Sequence, residues 1–100
     1  MARIATKLTG SGSELHFGTS NSYASGIMND ALMIDPSGYV GIGQSGPTAL
    51  ADFAAATTAR ASLRLRSGTA PTSPNDGDIW YDGTNIKMRQ GGTTKTFTLT

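Results

Sequence analysis

The C-terminal stretch of the sequence, residues 78–100, reads DIWYDGTNIKMRQGGTTKTFTLT. Two tight-turn signals, DGTN and QGGT, divide it into three short runs that contain β-branched and aromatic residues. Runs of this kind joined by glycine turns are typical of hairpin-connected strands. The stretch therefore predicts a three-stranded antiparallel β-meander at the end of an all-β chain built of short strands.

The two turns predict one consistent register for this meander. A two-residue loop within DGTN places Tyr81 opposite Ile86, and a two-residue loop within QGGT places Phe97 opposite the same isoleucine. The predicted apolar face consists of Ile79, Tyr81, Ile86, Met88, Phe97 and Leu99. The predicted polar face consists of Asp78, Trp80, Lys87 and Arg89.

Two side-chain pairs are expected on the polar face of the meander. Asp78 and Arg89 are placed to form an ion pair, and Trp80 and Lys87 to form a cation–π contact, each worth about 0.2–1 kcal/mol. The apolar face has no such internal partner, and an isolated three-stranded sheet is marginal in water. We therefore expect either the preceding strand or a symmetry-related copy to cover it.

A second hairpin is predicted upstream, where ALMID (31–35) and YVGIG (39–43) flank the sequence DPSG. Pro36 fixes φ at the first central position of a turn, and Gly38 closes it. The structural turn residues of the chain are therefore predicted to be Pro36, Gly38, Gly83, Gly91 and Gly92.

Composition divides the rest of the chain into segments. Residues 1–30 are polar and rich in glycine, serine and asparagine, and only 14–17 alternate as a strand does, so the remainder is interpreted as a loop or attachment region. Residues 31–68 are β-rich. Residues 69–77 form a proline-rich linker with a turn at its end, and the meander of 78–100 follows.

Two stretches within the β-rich segment give different signals. Residues 47–61 combine Pro47 and many alanines, which favour a short helix, with threonines and no wide apolar stripe, so helix and strand both stay open. Residues 61–66, ASLRLR, alternate apolar and polar side chains, which predicts a half-buried strand.

Composition also predicts a thin core. Leu, Ile, Val and Phe make up 17 of the 100 residues, whereas Gly, Ala, Thr and Ser make up 49. A chain this poor in large apolar residues is usually disordered when it is also highly charged, but the formal net charge is only +1. The remaining way to bury apolar surface is against another copy, so an oligomer is expected.

Charge and cysteine content exclude several classes of function. A balanced charge argues against a nucleic-acid partner, because phosphate binding needs a basic patch, and the only local cluster is Arg60, Arg64 and Arg66. The absence of cysteine excludes a disulfide framework. No apolar run approaches the roughly 20 residues of a membrane span, so no membrane insertion is expected.

Glycines and aspartates provide no ligand-binding motif. The spacing of Gly38, Gly41 and Gly43 is not that of a phosphate-binding loop, and no cofactor is expected. Asp76, Asp78 and Asp82 lack the spacing and the closing glutamate of a calcium loop, so turn capping is the simpler interpretation.

His16 is the sole histidine of the chain. It is a candidate metal ligand only if three copies meet on a threefold axis, and otherwise it is a polar surface residue. With one histidine and no cysteine, neither a nucleophile–base pair nor a pair of carboxylates such as Glu14 with an aspartate is placed together by the sequence. We therefore predict no catalytic residues and no enzymatic activity.

Aromatic side chains offer the main alternative, a binding surface. Trp80 is the best candidate to stack on a ligand ring, with Tyr81, Lys87 and Arg89 beside it in the sequence. Tyr23 and Tyr39 are further exposed-ring candidates. The competing interpretation is that Trp80 covers a strand or a joint between subunits.

Two stretches of the sequence resemble segments of a known protein family. GYVGIGQSGPTALADF (38–53) resembles the shaft repeat of bacteriophage tail fibres, and SGTAPTSPNDGDIWYDGTNIKMRQGGTTKTFTL (67–99) resembles the segment that follows it. The resemblance implies that residues 31–68 are shaft-like and that the chain is an intertwined homotrimeric fibre wound about a threefold axis. It implies no catalysis. Residues 1–100 hold neither the long run of repeats nor the self-cleaving C-terminal domain of the usual family pattern, so a short fibre, a capsid-attached fibre or a processed or cloned fragment is expected.

Three functions stay open after the sequence is considered. The leading hypothesis is a structural virion subunit, a tail fibre or capsid-attached fibre that displays a host-contacting surface. It would assemble in the host cytoplasm with other virion proteins as partners. The second is a binding module for a host surface glycan or receptor. The third is a capsid-decorating or filament-forming subunit that grows through its sheet edges.

Overall fold

The computed structural model describes residues 2–22, 24 and 26–100, and the fold is all-β, as the sequence predicts. Within the described residues, eight strands form two separate sheets. The chain divides into two compact units, residues 1–62 and 63–100, with one sheet in each. No helix in this described part has the length and apolarity that crossing a membrane requires.

The first unit contains a five-stranded sheet. Its strands are β1 (Ala2–Thr9), β2 (Gly12–Thr19), β3 (Asn29–Ile34), β4 (Val40–Ile42) and β5 (Ala51–Phe53). They lie side by side in chain order. The first four pair antiparallel, and β5 runs parallel to β4.

The N-terminal hairpin corrects one prediction. Outside 14–17 the first segment was expected to be loop, but β1 and β2 are eight-residue strands paired from Ala2–Thr19 to Thr9–Gly12 around a two-residue turn. The reason is a period of two in ARIATKLT, where Ile4 and Leu8 alternate with charged residues. The many glycines and serines of residues 1–30 conceal that alternation.

The hairpin between β3 and β4 is confirmed, together with its turn residues. The Gly38 amide donates to the Asp35 carbonyl oxygen at 2.9 Å, and Gly38 has φ 85°. The Asp35 carboxylate accepts amide hydrogen bonds from Ser37 and Tyr39, each at 2.9 Å. A three-residue loop of this kind, with proline first and glycine in the left-handed region last, keeps two strands in tight register.

Residues 47–61 contain no helix. They hold the short strand β5, whose Phe53 lies opposite Ile42, and otherwise irregular backbone. The predicted strand at 61–66 is wrong: these residues form none, because no neighbouring strand of the described chain pairs with them. Only the next residue, Ser67, makes a parallel bridge, and its partner is Tyr81.

The second unit contains the predicted C-terminal meander. Strands β6 (Ile79–Tyr81), β7 (Ile86–Gln90) and β8 (Thr93–Thr96) pair antiparallel in that order. Tyr81 lies opposite Ile86, and the Phe97 amide donates to the Ile86 carbonyl oxygen at 2.9 Å, so the predicted register is confirmed.

Three glycines make the two turns of the meander. Gly83 has φ 97°, and its loop is closed by the Asp82 carboxylate, which accepts the amides of Thr84 and Asn85. Gly91 and Gly92 have φ 62° and 76°, as in a type I′ turn. Residues 69–77 form no strand, and they end in a turn in which the Asp78 amide donates to the Asn75 carbonyl oxygen at 3.0 Å.

The core is as thin as the composition predicts. Among the described residues, Met33 at 4% exposure is the one buried hydrophobic side chain, and no side chain is fully buried. Backbone close approach accounts for another buried position, Gly41, where an added Cβ would lie 2.0 Å from the Gln44 carbonyl oxygen.

Gly41→Ala is expected to destabilise the first unit, because the backbone of 41 and 44 must separate to admit a methyl group. Overpacking of this kind costs about 1–3 kcal/mol, or a fall in melting temperature of at least about 4 °C. Circular dichroism melts at one fixed protein concentration measure it. Gly46→Ala is the matched control, since no atom lies within 4 Å of its added Cβ. Equal melting of the two variants would contradict the packing argument.

Candidate functional site

The polar face of the C-terminal sheet is the surface that the sequence proposes for binding. Trp80 lies opposite Lys87, and Lys87 lies opposite Thr96. The Lys87 ammonium donates to Thr96 Oγ1 at 2.8 Å and lies 4.0 Å from an Asp82 carboxylate oxygen. Trp80 and Lys87 are half-buried, so this face presents an aromatic ring beside a lysine that is already oriented by two oxygens.

The four predicted binding residues do not form one cluster. Trp80, Lys87 and Arg89 lie on the polar face, whereas Tyr81 pairs with Ile86 on the opposite, apolar face. The Tyr81 hydroxyl donates to the Gly83 carbonyl oxygen at 2.9 Å, which ties the ring to the turn. Tyr81 therefore belongs to the apolar face and not to a surface shared with Trp80.

The predicted ion pair between Asp78 and Arg89 is not formed. The Asp78 carboxylate accepts the Asn75 amide at 2.9 Å, and the Arg89 guanidinium reaches Thr94 Oγ1 at 3.5 Å. The two residues are joined instead through their backbones, since the Arg89 amide donates to the Asp78 carbonyl oxygen at 2.9 Å. Local capping of a turn keeps the carboxylate away from the neighbouring strand.

The three aspartates of this unit are turn caps, as the sequence suggests. Asp76 accepts the Gly92 amide at 2.9 Å, and Asp82 accepts the amides of Thr84 and Asn85 at 2.8 Å each. The hydrogen bonds from Asn85 and Thr84 hold the pKa of Asp82 below its ordinary value, because they favour the ionised carboxylate. These carboxylates stabilise loops, so each already has a structural role.

The apolar face of the C-terminal sheet lies open. Ile79 is 50% exposed, Phe97 40% and Leu99 76%. Ile86 and Phe97, paired across strands, line a shallow depression together with Tyr81 and Leu99. Apolar side chains that share a face at this exposure form an open apolar patch, which is a feature of interaction surfaces.

The five-stranded sheet has an apolar face of the same kind. Its register places one large apolar side chain from every strand in a single row, namely Ile4, Phe17, Leu32, Ile42 and Phe53. We call this set the apolar row. Ile4 is 72% exposed, and both Ile42 and Phe53 are at least 37% exposed. The sequence analysis missed the row, because the row appears only once β1 and β5 are recognised as strands.

The opposite face of the five-stranded sheet holds a histidine between two carboxylates. His16 Nε2 lies 2.9 Å from Glu14 Oε1, and Nδ1 lies 2.5 Å from Asp30 Oδ2. A one-residue bulge between β2 and β3 places Asp30, rather than Ala31, opposite Gly18 and hence on the face of His16. Sequence reasoning missed this cluster, although the spacing of Glu14 and His16 on one strand already places both on one face.

The cluster favours a charged imidazole. Hydrogen bonds to Glu14 and to Asp30 raise the pKa of His16 above its ordinary value of 6.5, and they outweigh its partial burial. The Lys7 ammonium, on β1, lies 3.9 Å from Glu14 Oε1. Lys7 and a charged His16 together balance the two carboxylates of Glu14 and Asp30. Both ring nitrogens are engaged, so the ring has no free nitrogen to give to a metal ion in this arrangement. In the part of the chain that the structure describes, no three metal-ligating side chains are grouped as a metal site.

The other sequence candidates are scattered. Arg64 and Arg66 are exposed, and the Arg60 guanidinium donates to the Ala55 carbonyl oxygen at 3.3 Å. Tyr39 is 37% exposed at the β3–β4 turn. Tyr23 lies outside the described residues.

Comparison of the chain with protein-family models, curated proteins and solved structures finds no match.

The His16 cluster predicts a pH-dependent stability. Because the folded-state pKa of His16 is raised, the contribution is complete below pH 6.5 and is lost as pH rises through the folded-state pKa. The melting temperature is therefore expected to fall as the pH is raised from about 6 to a value above the folded-state pKa of His16. His16→Gln removes the titrating group and should flatten this part of the profile. Identical profiles for the two proteins would contradict the assignment.

Proposed function

We propose that the chain is a structural subunit of a virion fibre, in a tail or attached to a capsid, which assembles as an intertwined homotrimer and displays a host-contacting surface. The resemblance of residues 38–53 to the shaft repeat of phage tail fibres, and of residues 67–99 to the segment that follows it, supports this assignment. Assembly in the host cytoplasm with other virion proteins belongs to the same proposal.

The observation that carries the proposal is the pair of open apolar faces. The apolar row crosses all five strands of the first sheet, and a second apolar face lies on the C-terminal sheet. Covering one half-exposed isoleucine or phenylalanine contributes about 1–2 kcal/mol, and these faces hold several. Since one buried methionine is a poor core for two sheets, the proposal assigns the missing cover to further copies of the chain.

A non-catalytic role is part of the proposal. The sole histidine is held by Glu14 and Asp30 at both ring nitrogens, so neither nitrogen is free to take a proton from a hydroxyl nucleophile. The aspartates of the C-terminal unit serve as turn caps. These arrangements rigidify a surface, which is the property a fibre requires.

Glycan or receptor binding is the second candidate function. The observation that favours it is the polar face of the C-terminal sheet, where Trp80 lies beside Lys87 and the Lys87 ammonium in turn donates to the hydroxyl of Thr96 on the next strand. An aromatic ring next to oriented hydrogen-bonding groups suits a sugar, which offers an apolar ring face and a rim of hydroxyls. In a fibre, this face would be the host-contacting surface.

Sedimentation equilibrium tests the assembly. The expected species has about three times the 10.3 kDa chain mass. Ile4→Lys, which places a charge in the apolar row, should shift the protein toward monomer, because each copy loses about 2 kcal/mol of burial. Ser11→Lys adds the same charge in the exposed turn of the same hairpin and should leave the trimer intact.

A particle mass other than that of a trimer would support one of the competing functions. A wild-type monomer would overturn both the fibre and any oligomeric alternative. Large polydisperse particles would instead identify the filament-forming or capsid-decorating subunit that grows through its sheet edges.

Trp80→Ala tests the second function on a glycan array. If the polar face binds sugars, the substitution should weaken binding at least roughly 30-fold, as loss of a central aromatic residue does. Trp80→Phe, which retains a ring, should recover part of the binding. Loss of the trimer in Trp80→Ala would show that the ring is structural, and no array signal for the wild-type trimer would reject glycan binding.

A further inference from the structure

Residues 63–66 of the second unit form an unpaired extended segment. Leu63 and Leu65 are 60% and 38% exposed, and they alternate with Arg64 and Arg66. Within the described chain, no backbone amide or carbonyl of residues 63–65 makes a hydrogen bond, and Arg66 is engaged only through the Ser67–Tyr81 bridge, where its carbonyl oxygen faces the Tyr81 amide. Unpaired backbone groups and period-two alternation together are the properties of a strand that lacks its neighbour.

The edge of β6 that faces away from β7 also has unpaired backbone groups. β7 pairs with one side of β6, and on the other side only Tyr81 is engaged, by the bridge to Ser67 and by the Gly68 amide at 2.9 Å. Before Arg66 the chain leaves β6, so the outward backbone groups of Ile79 stay free, whereas those of Trp80 face Lys87 on β7. The unpaired segment and the open edge are thus the two halves of one missing strand pairing.

The bridge between Ser67 and Tyr81 gives the register of that pairing. Continued backward in parallel, it sets Leu65 beside Ile79 on the apolar face. It sets Arg66 beside Trp80 on the polar face, where a guanidinium stacks well on an indole ring. Arg64 then falls beside Asp78, an acidic residue. In this register the added strand places an apolar side chain on the apolar face and polar side chains on the polar face.

Charge selects this pairing over the symmetric ones. Two copies of residues 63–66 placed side by side would bring arginine against arginine, and two β6 edges would bring Asp78 and Asp82 of each copy together. Pairing residues 63–66 with the β6 edge instead places Arg64 beside Asp78, so that unlike charges meet. Such a pairing uses two different surfaces of each copy, and a heterologous contact of this type closes into a ring when its rotation allows.

We propose that residues 63–67 of one copy pair in parallel with β6 of a second copy, with Leu65 beside Ile79 and with Ser67 beside Tyr81 in the place that the second copy's own Ser67 holds in the single chain. This inference rests on the proposed self-assembly and identifies the surfaces that perform it. The segment contributes main-chain hydrogen bonds to the neighbour, and its leucines extend the neighbour's apolar face.

Mixed cysteine variants test the pairing. Because the chain has no cysteine, Leu65→Cys and Ile79→Cys can be made separately, refolded together and oxidised gently. A covalent heterodimer on a denaturing gel without reductant is the expected product. The matched control pairs Ile79→Cys with Arg66→Cys, whose side chain faces the other side of the sheet and should give at least about tenfold less product.

Each outcome decides the inference, and a mass measurement separates it from the proposed function. A wild-type trimer whose variants give no Leu65–Ile79 cross-link, or equal yields with the control, overturns the strand addition and leaves the fibre standing. A wild-type monomer overturns both. A double variant, Leu65→Cys with Ile79→Cys, that cross-links only within one chain also overturns the exchange.

Hydrogen–deuterium exchange on the unmodified protein gives a readout that needs no variant to fold. The amides of Arg64 and Arg66, which this register points at β6, should exchange at least about tenfold more slowly in the assembled protein than the same amides in a free peptide, whereas those of Leu63 and Leu65 point away from β6. Equal rates would overturn the pairing, since a strand on the β6 edge must protect the two arginine amides.

Discussion

The β3–β4 ladder and both ladders of the C-terminal sheet start from turns that few residues can make, and the pairing that follows fixes which side chains share a face. Gly83, Gly91 and Gly92 supply positive φ in the C-terminal sheet, and Gly38 supplies it between β3 and β4. With Met33 as the one buried hydrophobic side chain among the described residues, packing does little to correct a wrong register. The turns and the backbone hydrogen bonds therefore carry the specificity that a core provides in larger domains.

Local turn chemistry explains why the C-terminal sheet was predictable. DGTN and QGGT admit few loop geometries, so the pairing of Tyr81 with Ile86 and of Phe97 with Ile86 could be derived from the sequence alone. The hairpin around Pro36 was predictable for the same reason. The binding candidates on the polar face were placed correctly for Trp80 and Lys87, because strand alternation follows directly from register.

Features that depend on a β-bulge, on competition for a side chain or on a missing neighbouring strand were not predictable from the sequence. The bulge that brings Asp30 to His16 adds one residue between β2 and β3, and no turn signal marks it. The side chain of Asp78 was assigned to Arg89 across the sheet, but the nearer Asn75 amide competes successfully for it. The alternation of residues 61–66 was read as a strand, whereas a strand also needs a neighbour, and one chain does not supply it.

Both sheets are one-sided, and this links folding to assembly. A sheet with one apolar face reaches its stable state only when that face is covered, and here the row from Ile4 to Phe53 and the face around Phe97 are exposed in the single chain. Proposed assembly would cover them and complete the strand pairing that residues 63–66 begin. On that view the stability of the fold depends on protein concentration, as it does for obligate oligomers. On the same proposal the small hydrophobic content of the sequence is sufficient, because the apolar side chains that are exposed in the single chain would be buried between copies.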